Sequence, residues 1–177
     1  MAAGVDVFKR KKNFSAILIG GTEVVATAAE INRAADVSTR VVNATASTLA
    51  VNEATHEGKV VTLNRAGGIA VTLPAATGSG GRFFFFIGTT FTSSATIKVT
   101  GDDVMAGYAS YAADAGDTAV KFETAADSDT ITFNGTTTGG YKGTTVELID
   151  VAADLWWVRV DGHATSSEAT PFSATVG

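Results

Sequence analysis

The chain has 177 residues, 45% of them hydrophobic, and a mean hydropathy of +0.20, enough for one domain with a substantial core plus an appendage. It has no cysteine, which excludes a disulfide framework and any thiolate metal site, and its apolar runs are far shorter than the ~20 residues of a membrane span. The net charge of −5 is unevenly spread: Lys9, Arg10, Lys11 and Lys12 against Asp6 leave the first twelve residues at +3, so the remainder carries −8. An acidic body lacks the basic face that phosphate neutralisation requires, so neither nucleic acid nor a membrane is an expected partner.

Residues 1–21 are expected to form a basic N-terminal arm ending in a short apolar anchor, Ile17–Ile19, and the joint Gly20-Gly21. Phe8, Lys9, Arg10, Lys11, Lys12 and Phe14 are its candidate docking residues, suited to an acidic protein surface. Residues 22–44 are expected to hold a short helix and a linker. Thr27-Ala28-Ala29-Glu30 has the capping-box spacing, in which the threonine caps an N–H while the glutamate reaches back. Ile31, Ala34 and Ala35 then lay a narrow apolar stripe on a helix of three turns at most, marginal alone and in need of a partner. That partner is either symmetry mates around an axis or the chain's own β domain.

From residue 45 to 177 the signals are those of a mainly-β domain, an antiparallel sandwich or barrel. Lys59–Asn64 and Ile69–Leu73 flank Arg65-Ala66-Gly67-Gly68, the pattern of a hairpin, and Pro74 ends the second strand. Arg82–Ile87 (RFFFFI) puts phenylalanine on both faces of a strand and predicts cover on both, by a second sheet or by another subunit. Val104–Gly116 lacks a clean period and is expected to be an extended loop carrying Tyr108 and Tyr111. Between Thr118 and Gly162 four alternating runs predict an antiparallel meander with Val120, Phe122, Ile131, Phe133, Val146, Leu148, Trp156, Val158 and Val160 on its buried face. Alternation places one member of Trp156-Trp157 in the core and the other outside. Ile31, Phe83, Phe85 and Trp157 are the candidate subunit-interface residues.

Catalytic and cofactor chemistry finds little support. His56, in a turn beside Glu57, and His163, at the Gly-flanked end of the last strong strand, are expected to be ordinary surface or turn residues, because neither has the second ligand nearby that a metal centre needs. Gly78-Ser79-Gly80-Gly81 leads into a strand instead of a helix N-terminus, so it is not expected to gather the N–H groups of a phosphate cradle. Asp102/Asp103, Asp114/Asp117 and Asp127/Asp129 could bind calcium or act as paired carboxylates, but aspartate also favours turns through its own hydrogen bonds. No catalytic residue, metal or cofactor is expected.

Three segments carry a resemblance: Thr62–Gly80 (TLNRAGGIAVTLPAATGSG), Asp129–Gly140 (DTITFNGTTTGG) and Val146–Val151 (VELIDV), with the closing Glu168–Ser173 (EATPFS). Together they resemble a family of capsid decoration (cement) and head-fibre-like proteins of tailed bacteriophages. Ala26–Asn32 is similar to a short element of phage fibres. The resemblance implies a non-enzymatic, commonly trimeric β module on the outer surface of an icosahedral head, where it clamps neighbouring major capsid proteins. The expected partners are therefore the major capsid protein and further copies of the chain. A head or tail fibre recognising a host-surface glycan through Tyr108, Tyr111 and Trp157 is the alternative expectation.

Overall fold

The computed structural model describes residues 18–19, 21–35, 40–113 and 118–175; side chains are described for these except at 18, 19 and 33–35. The candidate docking residues Phe8, Lys9, Arg10, Lys11, Lys12 and Phe14 lie outside them, as do Asp114 and Asp117. The chain divides into two compact units, Met1–Asp36 and Val37–Gly177.

In the first unit β1 (Leu18–Ile19) pairs antiparallel with β2 (Thr22–Glu23), and α1 spans Ala28–Ala35. The capping box forms as its spacing requires. Glu30 Oε2 accepts from the Thr27 N–H (2.6 Å) and hydroxyl (2.7 Å), and Thr27 Oγ1 accepts from the Glu30 N–H (3.2 Å). Val25 is 90% exposed and Ile31 36% exposed, so the unit leaves apolar side chains in water.

The second unit is mainly β, two sheets packed face to face. It opens with three strand–arch–strand passages: β3 (Val41–Ala44) to β4 (Thr48–Ala50), β5 (Val60–Leu63) to β6 (Ala70–Thr72), and β7 (Arg82–Ile87) to β8 (Ala95–Lys98). A short helix, α2 (Glu53–His56), joins the first passage to the second. β3, β5 and β7 stack in parallel in one sheet while β4, β6 and β8 stack in parallel in the other. The expected hairpin across Arg65–Gly68 is therefore an arch: β5 and β6 belong to opposite sheets and face each other across the core. Residues 41–44 are strand in the β unit, not linker.

Antiparallel strands complete both sheets. β12 (Thr145–Ala152) pairs with β7 and makes a hairpin with β13 (Leu155–His163); β13 runs parallel to β9 (Val104–Ala112), which pairs antiparallel with β10 (Ala119–Glu123). In the other sheet β11 (Thr130–Phe133) pairs with β8 and with β14 (Phe172–Ser173). The orders are β10-β9-β13-β12-β7-β5-β3 and β14-β11-β8-β6-β4. The expected meander thus does not exist as a unit, because β11 sits in the opposite sheet from β10, β12 and β13. Val104–Gly116, expected as a loop, contains β9, a nine-residue interior strand.

The inward assignments hold in β11, β12 and β13, whereas Val120 on the edge strand β10 is only half-buried. Ile131, Phe133, Val146, Leu148, Val158 and Val160 are fully buried, Trp156 is 1% exposed, and Trp157 lies on the outer face, half-buried. Phe122 packs against the core from the edge strand β10, partly buried. The phenylalanine strand divides by parity: Phe83 (1% exposed) and Phe85 (0%) enter the sandwich, with Phe83 edge-on to Trp156 at 5.7 Å, while Phe84 and Phe86 are half-buried on the outer face. Within the chain the second sheet covers one face of this strand fully and leaves the other half-covered. Phe83 and Phe85 are spent on the chain's own core, so neither has surface to offer a second copy.

Candidate functional surface

The outer face of the seven-stranded sheet follows from strand register. One row crosses it as Val41, Val60, Phe84, Glu147, Arg159, Tyr108 and Glu123, and the next as Asn43, Thr62, Phe86, Thr145, Asp161, Ser110 and Lys121. A third runs Arg82, Ile149, Trp157, Ala106. Period-two alternation puts these side chains on one side because their neighbours fill the core. The face is amphipathic. Val41 is 55% exposed, and Val60, Phe84, Ile149 and Trp157 are half-buried around ion pairs between Arg82 and Glu147 and between Arg159 and Asp161 (2.5 Å). A hollow of about 210 Å³ is lined by Gly58, Lys59, Val60, Arg82 and Phe84.

Toward the β10 edge a larger depression of about 390 Å³ is lined by Gly107, Tyr108, Lys121, Glu123 and Thr124. Lys121 Nζ stands 5.3 Å from the centre of the Tyr108 ring, a cation–π contact across the β9–β10 pair. Thr124 closes one wall, its hydroxyl accepting from the Gly107 N–H at 3.0 Å. Tyr108 and Trp157 therefore share a face on neighbouring strands. Tyr111 does not join them. Its ring is fully buried, its hydroxyl donates to Thr138 O at 2.9 Å, and burial pushes its phenol well above the usual range.

The acidic turns are fasteners. Asp103, 4% exposed, accepts from the Ala76 N–H (2.7 Å) and the Trp156 indole N–H (3.3 Å); Asp129, also 4% exposed, accepts from the Thr130 hydroxyl and the Thr175 N–H. Among the described residues no group of three or more His, Asp or Glu side chains is placed to hold a metal. His56, expected as an ordinary surface or turn residue, is buried at the end of α2 with Nδ1 within 3.1 Å of both backbone polar atoms of Asn52, whose side chain caps the helix. His163 stacks on Tyr141 with ring centres 4.2 Å apart.

One group escaped the sequence patterns. Asp150, 2% exposed, accepts from the backbone N–H groups of Thr77, Gly78 and Ser79 (2.7–3.1 Å) and from the hydroxyls of Thr77 (3.1 Å) and Ser79 (2.7 Å). The Gly78–Gly81 turn does gather convergent donors after all, and the anion it holds is the chain's own carboxylate. Nothing in VELIDV marks this aspartate beyond its inward parity, where an apolar residue is expected. Among the described residues no helix is long and apolar enough to cross a membrane. No family model, no curated protein and no solved structure matches the chain.

Proposed function

We propose that the chain is a structural virion protein that decorates the outside of a tailed-phage icosahedral head, bridging major capsid proteins as a homotrimer. The observation that carries this reading is the outer face of the seven-stranded sheet, a broad platform on which Val41, Val60, Phe84, Ile149 and Trp157 meet solvent between self-paired charges. Contiguous apolar surface on a hydrogen-bonded sheet suits protein contact. Each apolar side chain that a partner fully covers is worth roughly 1.5–3 kcal/mol. With Phe83 and Phe85 inside, Trp157 and Ile31 carry the contact between copies, and the basic arm docks on the capsid.

Mixing the full chain with undecorated heads tests this directly. Full-length protein is expected to co-sediment with heads and raise their disruption temperature. Deleting Met1–Phe14 is expected to abolish attachment, and Trp157→Ala to weaken it. If the full chain neither sediments with heads nor changes their stability, the decoration reading fails.

A second reading has one observation in its favour: Tyr108 lines the larger depression beside Lys121, Glu123 and Thr124, on the same face as Trp157. An aromatic ring among charged and hydroxyl groups can stack on a sugar and bind its hydroxyls. On a glycan array this predicts binding that Tyr108→Ala abolishes and Trp157→Ala reduces; no glycan bound by the full chain removes it.

A further inference from the structure

The two ends of the sandwich differ. At one end the edges are guarded: β10 carries Lys121 and Glu123, and β14 is two residues long. At the other end lie β3 and β4, the first members of the two parallel stacks, with sequences VVNA and TLA and no charge on either.

Their hydrogen bonds show which backbone groups are free to pair outward. The Val60 N–H donates to Arg40 O (3.0 Å) and the Asn64 N–H to Ala44 O (2.8 Å), so even-numbered residues of β3 face β5. Alternation then turns the N–H and C=O of Val41 and Asn43 to the open side. In β4, the Ala70 N–H donates to Ser47 O and the Val51 N–H to Thr72 O, both at 2.9 Å, which leaves Thr48 and Ala50 facing outward. Among the described residues no strand pairs with these groups. The core is also unfinished here. Val42 and Leu49 pack against it but stay only partly buried, and among the described residues no further passage of the stack covers them.

We propose that this end is a docking edge for the same end of a second copy, joined antiparallel so that both sheets continue across a two-fold axis. The occupant follows from geometry. The two edges belong to sheets about 10 Å apart, so a single extended peptide can satisfy only one of them. A partner that satisfies both must present two free edges at the same spacing, which an identical end does by construction. With Val42 opposite Val42 and Leu49 opposite Leu49, apolar tips meet apolar tips, and uncharged edges set no like charges against each other. This contact stands independently of the decoration reading; combined with the proposed trimer it makes a hexamer.

The test uses the full chain. Native mass spectrometry is expected to show an even number of chains, and hydrogen exchange to show slow amides at Val41, Asn43, Thr48 and Ala50. Asn43→Pro with Ala50→Pro removes one outward N–H from each edge while leaving the chain's own ladder bonds intact. The double variant is expected to halve the mass with its circular dichroism unchanged. Val41→Lys with Thr48→Lys, which sets like charges across the joint at exposed positions, is expected to do the same and covers the case in which the prolines prevent folding. A monomeric or simply trimeric wild type overturns the proposal, as does slow exchange at these amides in a monomer. So does an even assembly that folded variants leave intact.

Discussion

Replacing Asp150 with asparagine is expected to lower unfolding stability by about 2–4 kcal/mol at neutral pH, the scale of losing several charge-assisted hydrogen bonds and stranding their donors. Both carboxylate oxygens are engaged, one by the Thr77 and Gly78 N–H groups and the other by the Ser79 N–H and hydroxyl together with Thr77. An asparagine side chain keeps one acceptor and turns an NH₂ toward the remaining donors, so donor faces donor in an enclosed site. The loss spreads along the chain. The Gly80 N–H donates to Asp150 O (2.8 Å) and the Asp150 N–H to Gly81 O (3.0 Å), so the turn that releases the side chain also frays the entry to β7. Urea unfolding of wild type and Asp150→Asn checks the figure; equal midpoints would show that the turn does not depend on the carboxylate.

The same site fixes a pH dependence. Burial alone would raise the Asp150 pKa, but the hydrogen bonds from Ser79, Gly78 and Thr77 outweigh it and hold the group at about 2. A carboxylate depressed in the folded state adds stability above its unfolded pKa of about 3.9, and that stability drains as pH falls toward the folded value. The gap between wild type and Asp150→Asn is therefore expected to be full at neutral pH and to shrink between about pH 4 and 2. A gap that stays constant through that window would show that folding leaves the pKa of the carboxylate unchanged.

How much of this was legible in the sequence depends on the kind of order involved. Alternation tells a side chain which face it occupies, and there it was reliable: Val146, Leu148, Trp156, Val158 and Val160 all point inward as their parity requires. Alternation does not say which strand lies alongside. Lys59–Leu73 satisfies a hairpin and an arch equally well, because both bring Val61 and Leu63 together with Val71 and Leu73. The arch is decided by contacts distant in sequence. Gly68 has φ +80, and a Cβ there would lie 2.2 Å from Ser94 O in the next arch, so the glycine serves the stacking of successive arches instead of a two-strand turn. The candidate surface was visible only in part. Trp157 was placed by parity, whereas the partnership of Tyr108 with Lys121 needs the β9–β10 register, and the Asp150 cradle joins segments more than 70 residues apart.

Gly107→Ala is expected to be at least as damaging as the loss of the Asp150 cradle, costing roughly 3 kcal/mol or more, the range in which overpacking becomes exceptional. Gly107 lies in β9 opposite Val158 of β13, and a Cβ built there would stand 1.8 Å from Val158 O and 2.8 Å from its carbonyl carbon. The obstructing atoms are backbone, so no rotamer change relieves the clash; the parallel ladder between β9 and β13 has to open. That ladder carries β10 and the Tyr108 depression with it, so the variant is expected to lose both stability and the outer face around Lys121. The exposed neighbour on the same strand supplies the control. Ala106→Ser adds an atom toward solvent and is expected to stay within about 0.5 kcal/mol of wild type. Thermal and urea unfolding of both variants decide the matter, and a Gly107→Ala protein as stable as Ala106→Ser would mean that β9 and β13 do not pack in this register. The small residues that hid the strand are also what permits it. Ala106, Gly107, Ala109, Ser110 and Ala112 give no hydrophobic period to detect, and their lack of bulk lets β9 lie close beside β13 with Tyr111 turned inward and Tyr108 outward.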